Sequence, residues 1–342
     1  MRHFRFSLAI TVVLLGLAAW WGYVQHGWPG ALRGLWLAIV LGIMEVSLSF
    51  DNAVVNASIL KTWNAFWQKL FLTVGILIAV FGMRLLFPLL IVSVATGMRL
   101  VEVGAMALDT PHQYAFHLNK HANQVAAFGG SFLMLVFLNF VFDEQKTLHW
   151  LGRVEAKLGE FGTEGLAILI VVLSLFGCVS MVPPSGRYGV LASGVAGVAV
   201  YAAVRWVAAV LEKGQGTERV VASGSIGGFM YLEVLDASFS FDGVIGAFAI
   251  TSDVVVIMLG LAIGAVFVRS TTVYLVREGM LDRFVFLKHG AHYAIGILAV
   301  IMLASVEYEV PEWLAGLSGV AFIAVSLWSS VLYRRRLRRV HC

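Results

Sequence analysis

Long apolar stretches separated by short polar connections run along almost the whole chain. Many of them exceed about 18 residues, the length at which an apolar helix can cross a bilayer. The pattern predicts ten transmembrane helices, at residues 5–24, 31–60, 69–98, 127–142, 165–182, 188–211, 220–251, 254–277, 290–306 and 312–333. The predicted fold class is therefore all-α, a polytopic membrane protein.

The first apolar stretch follows a basic start and could be read as a signal peptide. However, Trp20, Trp21 and Tyr23 occupy the place where a small-residue cleavage site would lie. We therefore predict an uncleaved anchor helix.

Composition supports the membrane assignment. Of the 342 residues, 60% are hydrophobic and only 13% are charged, which lies outside the range of soluble domains. The net charge of +4 does not indicate nucleic-acid binding, because the basic residues are dispersed among the predicted inner loops. Cys178 and Cys342 lie far apart, so neither a disulfide framework nor a thiolate metal site is predicted.

The distribution of basic residues predicts the orientation. Arg2 and Arg5 place the amino terminus in the cytoplasm, and the run RRRLRR at 334–339 places the carboxyl terminus there too. Two termini on one side require an even number of spans, as the count of ten provides.

An acidic motif occurs twice within the apolar stretches, as EVSLSFDN at 45–52 and as DASFSFDG at 236–243. Aligned without gaps, Glu45 matches Asp236 and Asp51 matches Asp242. A carboxylate at the bilayer centre costs roughly 2.5–3.5 kcal/mol on insertion scales. Matching carboxylates in two repeats therefore indicate oxygen ligands for a hard cation.

The repeat extends beyond the motif. Arg84 and Arg269 each follow a glycine, Gly75 or Gly260, by nine residues in the span after the motif span. The motif spans are the second and seventh of the predicted ten, and an odd offset means that they run in opposite directions. The sequence thus predicts an inverted-topology repeat, which places substrate sites at the repeat interface in many secondary transporters.

This reading divides the chain into five parts. They are an N-terminal anchor helix at 1–30, a first repeat with EVSLSFDN at 31–142, a cytoplasmic loop with an inserted helical hairpin at 143–222, a second repeat with DASFSFDG plus the last helix at 223–333, and a basic cytoplasmic tail at 334–342.

Helical spacing separates the polar residues of each motif into two faces. In the first copy one face carries Glu45, Ser49, Asn52 and Asn56, and the opposite side carries Ser47 and Asp51. In the second copy one face carries Glu233, Asp236 and Ser240, and the other carries Ser238 and Asp242. Either the helices unwind near 50–52 and 241–243, or each helix serves two partners.

The predicted ligand set contains only oxygen donors, which suits Mn²⁺, Ca²⁺ or Mg²⁺ rather than Zn²⁺ or Cu⁺. The predicted metal ligands are Glu45, Asp51, Asn52, Asn56, Glu233, Asp236 and Asp242. The predicted supporting residues are Ser47, Ser49, Ser238, Ser240, Arg84 and Arg269. A structural reading, in which each carboxylate bridges helices or pairs with an arginine, is the alternative.

The two motifs resemble those of the TerC family of integral membrane proteins. That family has an early E-x5-DN motif and a late D-x5-D motif, here matched by Glu45, Asp51, Asn52, Asp236 and Asp242. Gly243 stands where the family usually has Ser, and the proline expected after it is absent. The resemblance implies a bacterial inner-membrane protein linked to tellurite resistance and to metal-ion homeostasis, including Mn²⁺ export.

The leading hypothesis is a secondary transporter that exports a divalent cation, with Mn²⁺ favoured and with Asp51 and Asp242 as central ligands. Tellurite is an oxyanion that clustered carboxylates would repel, so its resistance would be an indirect effect. The alternative is a membrane scaffold with a structural acidic core, whose cytoplasmic loop recruits partners. No motif of an enzyme or a nucleotide site is present, so we expect no catalytic activity and no resident cofactor; the expected partners are the lipid bilayer and the cation.

Overall fold

The computed structural model of the protein describes residues 4–75, 77–211, 224–308 and 310–340. Within these ranges it does not describe the side chains at positions 95, 208, 209, 211, 241, 242, 312, 313, 315 and 337–340. The predicted start of the seventh span and the rest of segment 212–223 lie outside the described residues.

The described part of the chain is helical. Its α-helices are α1 (Arg5–Leu48), α2 (Phe50–Leu60), α3 (Ala65–Leu70), α4 (Phe87–Thr96), α5 (Leu100–Asp109), α6 (Pro111–Lys120), α7 (Ala122–Val141), α8 (Arg153–Phe161), α9 (Glu164–Met181), α10 (Pro184–Leu211), α11 (Ile226–Ile250), α12 (Val254–Arg277), α13 (Met280–Arg283), α14 (Leu287–Ala304) and α15 (Glu312–Val340). Two π-helical segments, Phe71–Gly75 and Ile78–Leu86, connect α3 to α4.

Eight helical stretches within the described ranges are long and apolar enough to cross a membrane. They are Arg5–Leu48, Ala65–Val94, Ala122–Val141, Glu164–Met181, Pro184–Val207, Val254–Arg277, Leu287–Ala304 and Gly316–Arg336. The chain thus has the helices of a multi-pass membrane protein. Helix α11 is not among the eight; it carries three acidic residues, Glu233, Asp236 and Asp242.

Helix α1 folds back on itself and so combines the first two predicted spans. His26 and Gly27 have non-helical backbone angles, and Gly27 has a φ of 66°, which favours glycine. A Cβ built on Gly34 would lie 2.6 Å from the carbonyl oxygen of Ala18, and one on Gly22 would collide with the carbonyl of Gly30. These pairs are arranged symmetrically about position 26, so the two halves of α1 run antiparallel in close contact.

The distribution of exposed and buried residues is typical of a membrane protein. Large apolar side chains face outward, such as Val12, Trp20 and Trp36 on α1. Charged and amide side chains, such as Glu45 and Asn52, lie buried among the helices. A soluble protein rarely leaves so many large apolar residues exposed while burying charges.

The first motif helix is interrupted and the second is not. Ser49 separates α1 from α2 with a φ of −103° and a ψ of 15°. Helix α11 runs unbroken through the second motif. The sequence left open whether the motif helices unwind or stay continuous and serve two partners each. The helix is broken only in the first copy of the motif.

The helices of the two motif regions pack crosswise. The first motif helix, formed by α2 and the second half of α1, packs on α12 and α14, while α11 packs on the segment Ile78–Leu86 and on α7. Helices α7 and α14 pack on each other, and α10 covers α7. Each motif helix thus contacts the arginine-bearing segment that follows the other motif.

Two regions outside the predicted spans are helical. Helix α15 continues beyond the predicted end of the last span at 333, through the basic run to Val340, since arginine is a good helix former. The segment between the third and fourth predicted spans forms the short helices α5 and α6, with Pro111 at the start of α6, where proline is tolerated.

Candidate functional site

Polar side chains from both motif regions come together inside the helical bundle. Each of them is less than 10% exposed: Glu45, Ser49, Asn52, Asn56, Arg84, Glu233 and Ser240. Burial of charged and amide groups in an apolar bundle is expensive unless each group finds a partner. The hydrogen-bond and ion-pair partners of these side chains therefore indicate which kind of ligand the cluster could bind.

Glu45 forms an ion pair with Arg84. Arg84 donates through Nη2 to Glu45 Oε1, and the Ser49 hydroxyl donates to the same oxygen at 2.8 Å. Arg84 also donates through Nη1 to the carbonyl oxygen of Ala79 at 2.8 Å, within the π-helical segment that carries it. Both charges are buried, so each neutralises the other where water cannot screen them.

Two glycines from the second motif region hold Glu45 in place. A Cβ on Gly243 would lie 2.8 Å from Glu45 Oε2, and a Cβ on Gly264 would collide with the Glu45 side chain. Gly264 therefore leaves room for the inner part of the Glu45 side chain, and Gly243 leaves room for its carboxylate in the present position.

Asp236 connects the second motif to the first. Asn56 donates through Nδ2 to Asp236 Oδ1 at 2.8 Å, and the Asn52 amide lies close enough to interact with the same carboxylate. The helical spacing predicts that Asn52 and Asn56 share a face, and in the structure both line the same cavity as this residue of α11. The contact joins residues 180 positions apart in the sequence.

Glu233 lies one turn before Asp236 on the same face of α11. A Cβ on Gly75 would lie 2.5 Å from Glu233 Oε1, so the carboxylate packs directly against the π-helical segment Phe71–Gly75. Segments of π-helix are rare and are frequently found at functional sites.

A small cavity of about 40 Å³ lies between these groups. Its polar lining consists of Ser49, Asn52, Asn56, Arg84, Asp236, Ser240, Arg269 and Thr272. A single water requires roughly 10–15 Å³ on this measure, so the space fits a small ion or a few waters. Glu45 contacts Ser49 and Arg84, which line the cavity. Glu233 contacts Gly75, which also lines the cavity.

Several buried oxygen atoms around this cavity have no protein partner. They are Glu45 Oε2, Asn52 Oδ1, Asn56 Oδ1 and both carboxylate oxygens of Glu233. Each unsatisfied buried acceptor costs roughly 1–3 kcal/mol, more when charged. Such acceptors can be satisfied by a cation, a proton or a water molecule, and together with Asp236 they form an all-oxygen set. Among the residues that the structure describes, no three His, Cys, Asp or Glu side chains form a metal-binding group, so amide oxygens would have to contribute.

Some predicted site residues lie elsewhere. Asp51 faces the last helix, because a Cβ on Gly319 of α15 would lie 3.7 Å from its Oδ2, and its Oδ1 accepts from the Asn52 backbone N–H at 2.9 Å. Ser47 is exposed and donates to the carbonyl of Ile43, so it does not support the cavity. Ser238 is buried and donates to the carbonyl of Val234 on its own helix. The side chain of Asp242 lies outside the described part of the structure.

The two arginines have different environments. Arg84 pairs with Glu45 as the structural reading predicts, whereas Arg269 lines the cavity with its guanidinium 5.5 Å from the centre of the Phe6 ring. That distance is typical of a cation–π contact. No ion pair of Arg269 occurs among the described side chains.

A second buried charged cluster lies in the segment 143–164, for which the sequence predicted a cytoplasmic loop and no buried charge. Glu155 is fully buried, with Lys146 donating to its Oε1 at 2.8 Å and the Leu151 backbone N–H donating to its Oε2 at 3.2 Å. Burial by itself would raise the pKa of Glu155, but these hydrogen bonds and the Lys146 charge together lower it below 4.5. His289 of α14 lies 3.6 Å from the same oxygen, so the cluster joins the loop to the bundle.

Comparison with known families gives one match. Residues 50–337 match the family described as "Protein of unknown function (DUF475)". No curated protein and no solved structure matches the chain. These comparisons provide no link to the TerC family, so that resemblance stays a prediction from the motifs. Since the matched residues make up most of the 342 positions, the chain belongs to the DUF475 family.

Proposed function

We propose that the protein is a membrane transporter that exports a divalent cation through an all-oxygen site between two inverted repeats. The observation that carries the proposal is the set of unpartnered buried oxygens of Glu45, Asn52, Asn56 and Glu233 around the small cavity. These atoms accept but do not donate, which is the requirement of a hard cation.

The donor set at the cavity suits a divalent ion. Arg84 compensates Glu45, which leaves two carboxylates for an ion, Asp236 in the lining and Glu233 beside it, and Arg269 adds one positive charge to the same lining. Carboxylate and amide oxygens together form such sets in proteins. Mn²⁺ is favoured by the resemblance to the TerC motifs, and Ca²⁺ and Mg²⁺ suit the same donors.

The crosswise packing supports transport by alternating access. Each motif helix contacts the arginine-bearing segment of the other half, so the site lies where the two halves meet. In transporters built from inverted repeats, movement of one half against the other exposes such a site to each side in turn. We place the protein in the inner membrane of a bacterium, with ten spans and both termini in the cytoplasm.

Metal flux in proteoliposomes tests this function. Vesicles containing a Mn²⁺-sensitive dye and the purified full chain would be compared for wild type, Asp236→Asn and the exposed control Asp109→Asn, with and without a pH gradient. We expect flux in wild type and control and its loss in Asp236→Asn. Equal flux in all three proteins, at equal incorporation, would refute the proposed site.

The Glu45–Arg84 ion pair favours a second candidate, a membrane scaffold whose acidic core is structural. On that reading the cluster around Glu155 would position the 143–164 loop for binding of protein partners. Absence of Mn²⁺, Ca²⁺ and Mg²⁺ flux from well-folded wild-type protein would support the scaffold over the transporter.

A further inference from the structure

A larger cavity of about 630 Å³ lies at the end of the bundle where α1 begins, α3 runs and α12 ends. Three basic side chains line it, Lys69, Arg269 and Arg277, and no acidic residue does among those that the structure describes. The remaining wall is partly apolar, with Phe6 and Val276 among its residues.

The three cations have no anionic partner among the described residues. The ion pairs found there involve other basic residues, and the Arg269 guanidinium lies over the Phe6 ring. The neutral donors in the wall are occupied: Thr73 donates to the carbonyl of Lys69 at 2.7 Å, and Gln68 donates to the carbonyls of Leu60 and Trp63. The groups in this cavity that could bind a ligand are therefore its positively charged side chains.

The cations are arranged from the surface inward. Lys69 and Arg277 are exposed, whereas Arg269 is partly buried. Arg269 precedes Arg277 by eight residues on α12, which places it about 12 Å further along the helix. An anion that enters at the outer pair thus finds a third cation in the interior, and apolar groups lie alongside.

The positive-inside rule explains why basic residues lie at this end of the bundle, but not why three of them converge on one cavity without a carboxylate. Like charges that line one cavity repel one another unless an anion is present. We propose that this cavity binds a phosphate group, carried either by an anionic phospholipid headgroup or by a soluble phosphate. Basic pockets between membrane helices bind lipid phosphates in this way.

Native mass spectrometry of the purified full chain provides the test. Delipidated protein would be incubated with phosphatidylglycerol, with phosphatidylcholine, or with inorganic phosphate. The variants are Lys69→Gln/Arg277→Gln and the matched control Arg153→Gln/Lys157→Gln, which removes two exposed cations that do not line the cavity. All four positions are exposed, so each protein is expected to fold.

We expect wild type and control to retain phosphatidylglycerol but not phosphatidylcholine. The cavity variant should retain at least about tenfold less phosphatidylglycerol than wild type, because it lacks two cations near the lipid surface. If inorganic phosphate binds instead and prevents lipid retention, the phosphate comes from solution. Equal retention by the cavity variant and wild type, or no preference for phosphatidylglycerol together with no phosphate binding, would overturn the proposal.

Discussion

Glu45 and Gly243 lie in direct contact, although one belongs to the first motif helix and the other to the second. A Cβ at position 243 would lie 2.8 Å from Glu45 Oε2, closer than side chains ordinarily approach. The absence of a side chain at Gly243 thus decides how near α11 comes to the Glu45–Arg84 ion pair. A substitution at position 243 therefore tests how closely the two motif helices pack.

Gly243→Ala should therefore destabilise the protein by about 1–3 kcal/mol, the usual effect of overpacking a tight contact. Thermal unfolding in detergent measures this. The matched control is Gly177→Ala on α9, where a Cβ would meet nothing within 4 Å. Replacement of a mid-helix glycine by alanine at such a site is expected to be neutral or stabilising by roughly 0.5–1 kcal/mol. Equal behaviour of the two variants would show that α11 does not press on Glu45.

The Glu45–Arg84 pair should behave as a coupled unit. Glu45→Gln or Arg84→Gln alone leaves one buried charge uncompensated and should destabilise the protein by about 3–5 kcal/mol. The double variant removes both charges and should be less destabilised than the sum of the two single changes. Thermal unfolding of all four proteins gives the coupling free energy, and strictly additive effects would contradict a direct ion pair.

Helical spacing predicted part of this site and could not predict the rest. It grouped Glu45, Ser49 and Asn52 on one face, and the structure brings them to one cavity or its wall. Spacing says nothing about which helices approach each other, so the contacts of Gly75, Gly243 and Gly264 with the carboxylates could not be foreseen. The long apolar stretches were sufficient to predict a helical membrane protein, because the thickness of the bilayer sets the length of a helix that spans it.

Ser47 and Ser49 illustrate the same limit at the level of single side chains. The motif repeats both serines, and both were predicted to support the site. Ser49 donates to Glu45, whereas Ser47 is exposed and donates to the carbonyl of Ile43. Ser49→Ala should reduce stability by roughly 1.5–3 kcal/mol, since it removes a hydrogen bond to a charged group, while Ser47→Ala should change it by less than about 0.5 kcal/mol. Thermal unfolding of the two variants separates these roles, and a larger loss in Ser47→Ala would reverse the assignment.

The Glu155 cluster predicts a pH-dependent contribution to stability. Because the folded state lowers the pKa of Glu155 below 4.5, its carboxylate stabilises the folded protein at neutral pH and loses this effect as the pH falls through the lowered pKa. Glu155→Gln should thus reduce stability by roughly 1–3 kcal/mol at pH 7, because Lys146 loses its anionic partner. The difference from wild type should shrink as the pH falls below 4.5. The exposed Glu160 gives the control Glu160→Gln, and a difference that grows on acidification would contradict the cluster.

Asp51 and Asp236 should differ in their effect on transport, although the sequence predicted both as metal ligands and Asp51 as a central one. Asp236 lines the cavity and accepts from Asn56, whereas Asp51 points toward Gly319 on the last helix. Asp236→Asn removes a charge that an ion at the cavity would contact, so ion flux should fall to background. Asp51→Asn changes a group on the other face of the helix and should retain part of the flux. Dye-loaded proteoliposomes measure both variants side by side. Complete loss of flux in Asp51→Asn with retained flux in Asp236→Asn would show that the ion binds at the interface with α15 and not at the cavity.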